Sequence, residues 1–257
     1  MPTDTYRKQR ADAPPELFAW EAAGLDWLRV PGGPPVVEVR DVGAHHLDLE
    51  LLTEVPPTRH AARDLGGRLA VLHAAGAPRF GSPPAGWSGG GFFGPVIQPL
   101  PTPAGARDTW GAFLAELRIE PMADAGLRNG TLTAADATLL RELADLLRSG
   151  ALDDDEPPAR LHGDLWAGNV LWTPRGATLI DPAAHGGHRE TDLAMLALFG
   201  CPYLDDVLAG YQDVHPLRRG WQHRVGLHQV YPVGMHAVLL GGGYAAHLRR
   251  LVQPCLG

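Results

Sequence analysis

Three polar side chains in the segment 162–182 have the types and spacing that phosphoryl transfer requires. Asp164 and Asn169 stand five residues apart on the loop entering a predicted strand, and Asp181 ends the strand that pairs back onto it. This hairpin places Asn169 and Asp181 at one end of the ribbon, where an amide oxygen and a carboxylate suit Mg²⁺. Asp164, on the approach loop, can accept a proton from a hydroxyl group. A base followed by an amide side chain and then a carboxylate that both bind the metal is the order typical of kinase chemistry.

Lys8 is the only lysine of the sequence, and Glu21 follows it by thirteen residues on a helix predicted over 16–28. Phe18, Leu25 and Leu28 form the apolar face of that helix, and Glu21 lies on the same face. A carboxylate on a core-facing stripe needs a partner, and a lysine paired with a helix glutamate supplies the remaining phosphate contact of a kinase site. The other interpretation is that Glu21 lies at the edge of the stripe and contacts water.

The elements that must position these residues form a small N-terminal piece and a large helical piece, an α+β architecture in two lobes. Pro56-Pro57 marks the break, which predicts lobes over 1–55 and 56–257. The pattern predicts strands over 35–39, 46–51, 159–161, 169–173 and 177–180. The Gly- and Pro-rich stretch 76–107 is predicted to be a long loop. The apolar tract 227–252 is predicted to be helical, with interruptions at Pro232 and at 241–243.

Composition excludes several classes of protein. The 257 residues carry a formal net charge of −7, so a nucleic-acid partner is not expected. No apolar run is long enough for a membrane span, and the N-terminus has no apolar segment typical of a signal peptide. With only two cysteines, a reduced, cytoplasmic location is expected. The oligomeric state is left open.

Two other motifs suggest different chemistry. Residues 86–90 match the G-x-S-x-G pattern around Ser88, but a hydrolase nucleophile elbow needs a strand before it and a helix after it. Several prolines on both sides of Ser88 argue against that context. His185 and His188 have zinc-like spacing, although chance pairs are expected among twelve histidines.

Three longer strings carry a family resemblance: HGDLWAGN, IDPAAHGGHRETDLAM and QVYPVGMHAVLLGGGY. They resemble the fructosamine kinase (ketosamine 3-kinase) family, which belongs to the protein-kinase-like and aminoglycoside phosphotransferase fold group. The similarity extends from about residue 8 to residue 252. It implies a protein-kinase-like fold with a reduced N-terminal lobe and a mostly helical C-terminal lobe. It also implies Mg²⁺- and ATP-dependent phosphorylation of a sugar hydroxyl on a small glycated amine.

The same resemblance implies roles for individual residues. Asp164 would be the base, Asn169 and Asp181 the metal ligands, and Lys8 the α/β-phosphate lysine with Glu21 as its partner. The stretch 49–52, with Glu50 and Leu52, would be the hinge that offers backbone groups to adenine. The candidate acceptor contacts are His162, Trp166, His188, Arg189 and Glu190.

The family begins with two strands joined by a Gly-rich loop that covers the ATP phosphates, whereas only seven residues precede Lys8 here. Weak ATP binding and low activity are therefore expected of this sequence. A catalytically weak or inactive, pseudokinase-like relative is the main alternative. A second alternative is a kinase for another hydroxyl acceptor, such as an aminoglycoside or choline.

Overall fold

The computed structural model describes residues 4–94, 96–100 and 108–257. A π-helical turn, Ala115–Ile119, joins the third helix to the fourth. The helices in these residues are α1 Leu17–Trp27, α2 Arg59–Ala74, α3 Trp110–Leu114, α4 Glu120–Asn129, α5 Ala134–Arg148, α6 Arg189–Leu198, α7 Leu204–Val214, α8 Trp221–Leu240 and α9 Gly243–Leu256. No helix in the described residues is both long and apolar enough to cross a membrane.

The strands form small antiparallel sheets. The strands are β1 Thr5–Gln9, β2 Val39–Val42, β3 His46–Glu50, β4 Gly91–Phe93, β5 Val96–Gln98, β6 Ala159–Leu161, β7 Val170–Thr173, β8 Gly176–Leu179 and β9 His185–Gly187. One sheet has the order β1-β3-β2, and the others are the pairs β4-β5, β6-β9 and β7-β8. The expected mixture of one small N-terminal sheet and a mostly helical remainder is confirmed.

Helix α1 packs its apolar face into the core. Phe18, Leu25 and Leu28 are all nearly inaccessible, and Glu21 on the same face is also buried. The interpretation that Glu21 contacts water is therefore wrong. Because a buried carboxylate needs compensation, its position on this face makes a cationic partner necessary.

The β7-β8 hairpin brings two distant polar residues together. Its register pairs Val170 with Leu179, so Asn169 just before β7 lies next to the residues that follow β8. The backbone N–H of Ile180 donates to the Asn169 carbonyl oxygen at 3.1 Å. Asp181 follows directly, and its φ of 53° lies in the left-handed region, which is uncommon for a residue with a side chain. The predicted convergence of Asn169 and Asp181 at one end of the ribbon is confirmed.

Two buried clusters form the core. One lies among α3–α5, α8 and α9. The other joins α1 and β3 to α2, α7 and the β7-β8 hairpin. This second cluster contains residues from both sides of position 55, so the apolar packing does not separate there, and the division into lobes 1–55 and 56–257 stays a prediction.

Three predicted elements differ from the structure. Residues 35–39 do not form a strand: Val36 makes one isolated bridge with Leu179, and regular pairing begins only at Val39, because Pro34 and Pro35 have no N–H to donate. Within the described part of 76–107, β4 and β5 form a hairpin where a loop was expected. Helix α8 continues through Pro232, which is buried, so the predicted interruption there is wrong.

Candidate active site

Lys8 lies between two carboxylates. Strand β1 carries Lys8 toward α1, where its Nζ lies 2.8 Å from both Oε1 and Oε2 of Glu21. The same Nζ lies 3.0 Å from Oδ1 of Asp181. The predicted Lys8–Glu21 ion pair is confirmed, and the third member comes from the end of the β7-β8 hairpin. Lys8 thus links β1, α1 and the hairpin at one point.

Burial and neighbouring charges shift the pKa values of Lys8 and Glu21. Burial disfavours the charged form of Lys8, but the attraction of Glu21 and Asp181 outweighs it and raises the lysine's pKa. Burial, assisted by the charge of Asp181, raises the pKa of Glu21 even though Lys8 opposes this change. The cluster of one cation and two carboxylates holds an excess of negative charge when both are ionised, which favours binding of a further cation.

Asp164 and Asn169 face the same space. The Asn169 Nδ2 donates to the Asp164 carbonyl oxygen at 2.8 Å and to Asp164 Oδ2 at 3.1 Å. It also lies 3.4 Å from the carbonyl oxygen of Asp181. With its amide nitrogen committed in this way, the oxygen Oδ1 of Asn169 remains available as a ligand. An amide oxygen and the nearby Asp181 carboxylate are the hard oxygen donors that Mg²⁺ takes, so these residues fit the metal that the sequence predicts.

The Asp164 carboxyl group is poised near neutral pH. Burial raises its pKa to about 7, and the charges of Asp181 and Asp192 act in the same direction, while Asn169 and Lys8 oppose them. A general base is most effective when its pKa lies near the working pH. Asp164 therefore has the environment of a group that takes a proton during a reaction.

The loop that holds Asp164 is anchored by Asp192, which the sequence analysis missed. The backbone N–H groups of His162 and Gly163 donate to Asp192 Oδ2 and Oδ1 at 2.8 and 3.0 Å. His73 lies 3.2 Å from Oδ2 of the same carboxylate. The sequence does show Asp192 as an acidic residue within the string GHRETDLAM. It does not show the partners of this carboxylate, because His162 and His73 lie 30 and 119 residues away.

His162 is a positioning residue in this structure. It is fully buried, its Nε2 lies 2.8 Å from the Ile180 carbonyl oxygen, and its Nδ1 accepts the backbone N–H of Asp164 at 3.3 Å. These bonds tie the loop to the end of β8. Gly163 between them has φ of 80°, and a Cβ there would collide with the Ala183 carbonyl oxygen. The predicted acceptor contact through His162 is therefore not supported.

The cleft over these groups has a volume of about 270 Å³. Its walls combine the charged residues with aromatic and apolar ones; they include Lys8, Leu17, Trp20, Glu21, Phe92, Asp164, Trp166, Asn169 and Asp181. Trp166 is 40% exposed and makes an edge contact with Phe199. Trp20 is a cleft residue that the sequence analysis did not single out, because an apolar aromatic residue carries no spacing signal of its own.

Three predicted acceptor contacts lie in the interior instead. His188 is buried, with Nε2 3.0 Å from Asp154 Oδ1 and Nδ1 accepting the backbone N–H of Glu190. The guanidinium of Arg189 donates to both carboxylate oxygens of Glu156. The Glu190 carboxylate accepts two bonds from Arg224. These three side chains are committed to the packing of the helical region and do not line the cleft, so we correct their assignment.

The predicted hinge lies apart from the cleft residues. The Glu50 side chain accepts bonds from Arg175 at 2.6 Å and from the backbone N–H of Glu38 at 2.9 Å. Leu52 packs partly buried against the core cluster that includes α1 and α2. The backbone N–H groups of Glu50 and Leu51 also donate, to the carbonyl oxygens of Glu38 and Asp4 at 2.9 and 2.7 Å, so these two donors are not free for adenine.

The two alternative motifs do not form sites. Residues 86–90 contain no strand or helix, so Ser88 is not on a nucleophile elbow. His185 Nδ1 bonds to the Ala183 carbonyl oxygen, and His188 has both ring nitrogens engaged. Among the described residues His188 does approach Glu190 and His228, but it has no free lone pair for zinc.

Comparison with known proteins agrees with this geometry. The family model described as "Fructosamine kinase" matches residues 4–257. A "Probable ketoamine kinase" of Synechocystis sp. is 32% identical over 248 residues, which cover 94% of this chain and 79% of that protein. The crystal structure of a "putative fructosamine-3-kinase" from Thermobifida fusca superposes with a TM-score of 0.88 and 46% identity, covering 98% of this chain and 85% of that one.

A more distant structure supports the fold only. A choline/ethanolamine kinase family protein from Mesorhizobium loti has a TM-score of 0.58 at 15% identity and covers 99% of this chain and 82% of its own. Likeness at this level shows that the two chains share a fold. The family match over nearly the whole sequence is more specific, and on it the chain belongs to the fructosamine kinase family.

Proposed function

We propose that the chain transfers the γ-phosphoryl group of ATP to a sugar hydroxyl of a ketosamine acceptor. The observation that carries this proposal is the convergence on one cleft of Lys8, Asp181, Asn169 and Asp164. Family membership supports a ketosamine as the acceptor.

In this proposal Lys8 binds the α- and β-phosphates of ATP, and Glu21 holds the lysine in place. Asn169 Oδ1 and the Asp181 carboxylate hold Mg²⁺, which neutralises charge on the phosphate oxygens when bound. The excess of carboxylates over cations around Lys8 supports this assignment. Backbone groups of the stretch 49–52, including those of Glu50 and Leu52, receive the adenine, except for the N–H groups of Glu50 and Leu51, which are already paired.

Asp164 accepts the proton of the acceptor hydroxyl as that oxygen attacks the γ-phosphorus. The new O–P bond forms while the bond from the γ-phosphorus to the β,γ-bridging oxygen breaks, so ADP leaves with the bonding electrons. Positioning and charge neutralisation supply most of the acceleration in such reactions. The pKa of Asp164, raised to about 7 by burial, suits this role because the carboxylate can both take the proton and release it to solvent.

The acceptor is a small glycated amine that enters beside Trp166, whose exposed indole offers a face to a sugar ring. We propose a cytoplasmic location, in keeping with the free thiols of Cys201 and Cys255. The net charge of −7 does not favour a nucleic-acid partner, and no membrane partner is proposed.

The test is release of ADP from ATP–Mg²⁺ in the presence of an N-fructosyl amine, with the phosphorylated acceptor identified by ³¹P NMR. The Asp164→Asn variant should lose turnover, and Asp26→Asn, which changes an exposed aspartate of α1, is the matched control. Binding of ATP without turnover of any acceptor would favour the pseudokinase-like alternative.

A further inference from the structure

Arg118 is a buried cation on the π-helical turn Ala115–Ile119. Its side chain is 2% exposed, and its Nη1 donates to the carbonyl oxygens of Pro99 and Leu117 at 2.7 and 2.8 Å. The guanidinium lies over the rings of Phe113 and Tyr231, 4.6 and 5.6 Å from their centroids. Its Nη2 is buried and has no hydrogen-bond partner among the described residues.

This cation has no counter-ion among the described residues. Burial lowers the pKa of Arg118 to about 10, and the neighbouring charge that opposes this change belongs to Tyr231, not to a carboxylate. Residues 1–3, 95 and 101–107 contain no Asp or Glu in the sequence, so they cannot supply a side-chain carboxylate. A guanidinium stays protonated at neutral pH, and a buried charge without a partner is costly. An anionic ligand would satisfy both the charge and Nη2.

Arg118 lines a small cavity that borders Gly163, the residue before the base. The cavity has a volume of about 30 Å³ and is lined by Arg118, Phe93, Gly163, His185 and Tyr231 among others. His188 also lines it, but both of its ring nitrogens are already hydrogen-bonded. Space of this size admits a couple of water molecules or one small polar group. Gly163 is the neighbour of Asp164 in the chain, and the charges of both Arg118 and Asp164 act on Tyr231. Phe93 and Gly163 in this cavity are chain neighbours of Phe92 and Asp164 in the larger cleft. This adjacency is the route by which a ligand of Arg118 would extend to the base.

We propose that Arg118 binds a carboxylate of the acceptor, so that the preferred substrates are ketosamines of amino acids in which a free carboxylate lies a few bonds from the sugar. This inference rests on the proposed kinase function and deepens it. The planar guanidinium matches a carboxylate geometrically. The occurrence of Arg118 on a π-helical turn agrees with the frequency of such turns at functional sites.

The experiment compares two acceptors that differ in one group, N-fructosyl glycine and N-fructosyl glycinamide. For the unaltered chain we expect kcat/KM to favour the carboxylate by at least about tenfold, which corresponds to about 1.4 kcal/mol. Arg118→Gln should reduce this ratio to near one, and Arg118→Lys should give an intermediate ratio. Because both acceptors meet the same enzyme, a general loss of stability does not change the ratio.

Arg160→Gln is the matched control, because Arg160 also lies over an aromatic ring, that of Trp27 at 4.6 Å, and donates to a backbone carbonyl oxygen at 2.7 Å. It should keep the preference of the unaltered chain. The inference is overturned if the unaltered chain prefers neither acceptor or if Arg118→Gln keeps the preference.

Two further arms separate the remaining outcomes. If neither acceptor is phosphorylated, the proposed function fails. Calorimetry without ATP then tests separately whether the chain recognises the carboxylate. Equal binding of the two acceptors, or binding of neither, overturns the inference about Arg118. In the second arm, acetate is added during thermal unfolding. Suppose that acetate stabilises the unaltered chain but not Arg118→Gln, and that the ratio of kcat/KM for the two acceptors is near one. This result would show that Arg118 binds a free anion, and it would overturn the assignment to a carboxylate of the acceptor.

Discussion

Replacing Asp164 by Asn should stabilise the protein while it removes turnover. Burial and the charges of Asp181 and Asp192 disfavour the ionised carboxyl group, and they raise its pKa from 3.8 to about 7. Asn has nearly the same volume, carries no charge, and its side-chain oxygen can still accept the bond that Asn169 Nδ2 donates. The variant therefore relieves an unfavourable charge with little change in packing.

The magnitude follows from the difference between the folded and unfolded pKa values of Asp164. A difference of about three units, at about 1.4 kcal/mol per unit, sets an upper bound of about 4 kcal/mol at pH 8. Between pH 4 and 7 the folded state binds more protons than the unfolded state, so the wild-type chain loses stability as pH rises through this window. The advantage of the variant should thus be smaller at pH 5 than at pH 8 by roughly 3 kcal/mol at most.

The assay is urea unfolding of the Asp164→Asn variant and the wild-type chain at pH 5 and pH 8, in the absence of nucleotide. Asp26→Asn is the control, because Asp26 lies exposed on α1 and should show little pH-dependent difference. We expect a gain of a few kcal/mol for Asp164→Asn at pH 8, with a shift of the thermal midpoint of roughly 2–4 °C per kcal/mol. An Asp164→Asn variant that is less stable at pH 8, or equally changed at both pH values, would refute the argument from charge burial.

Three other substitutions test the remaining assignments. Asp181→Asn should lower turnover at least about a hundredfold with the circular dichroism spectrum unchanged, because it removes a ligand charge and little volume; near-normal turnover would contradict the metal assignment. Lys8→Met should raise KM for ATP by about ten- to a hundredfold, the value of one or two charge-assisted hydrogen bonds, and an unchanged KM would remove Lys8 from the phosphate site. Arg189→Gln should cost about 3 kcal/mol in urea unfolding, since it breaks a buried ion pair with Glu156, but should leave kcat/KM within about twofold; a large loss of kcat/KM with unchanged stability would return Arg189 to the active site.

Sequence reasoning predicted which candidate site residues lie together where local spacing controls their positions. Asp164, Asn169 and Asp181 lie within one loop and one hairpin, so pairing of two short strands with a tight turn is enough to bring them together. The Lys8–Glu21 pair could also be anticipated, because a carboxylate on the buried stripe of α1 needs a cation and the sequence contains only one lysine. In each case a periodic pattern or a short loop limits the possible geometry.

Only the tertiary structure decided which charged residues line the cleft and which are paired in the interior. His188, Arg189 and Glu190 stand in a specific string beside the site. Their side-chain partners Asp154, Glu156 and Arg224 lie 33 or 34 residues away in sequence. Asp192 and Arg118 became visible for the same reason, one through two backbone N–H groups and the other through the lack of any described carboxylate partner. Burial and pairing depend on how distant helices pack against each other, and this packing minimises exposed apolar area and unpaired charge over the whole chain at once. No local pattern in the sequence determines that outcome.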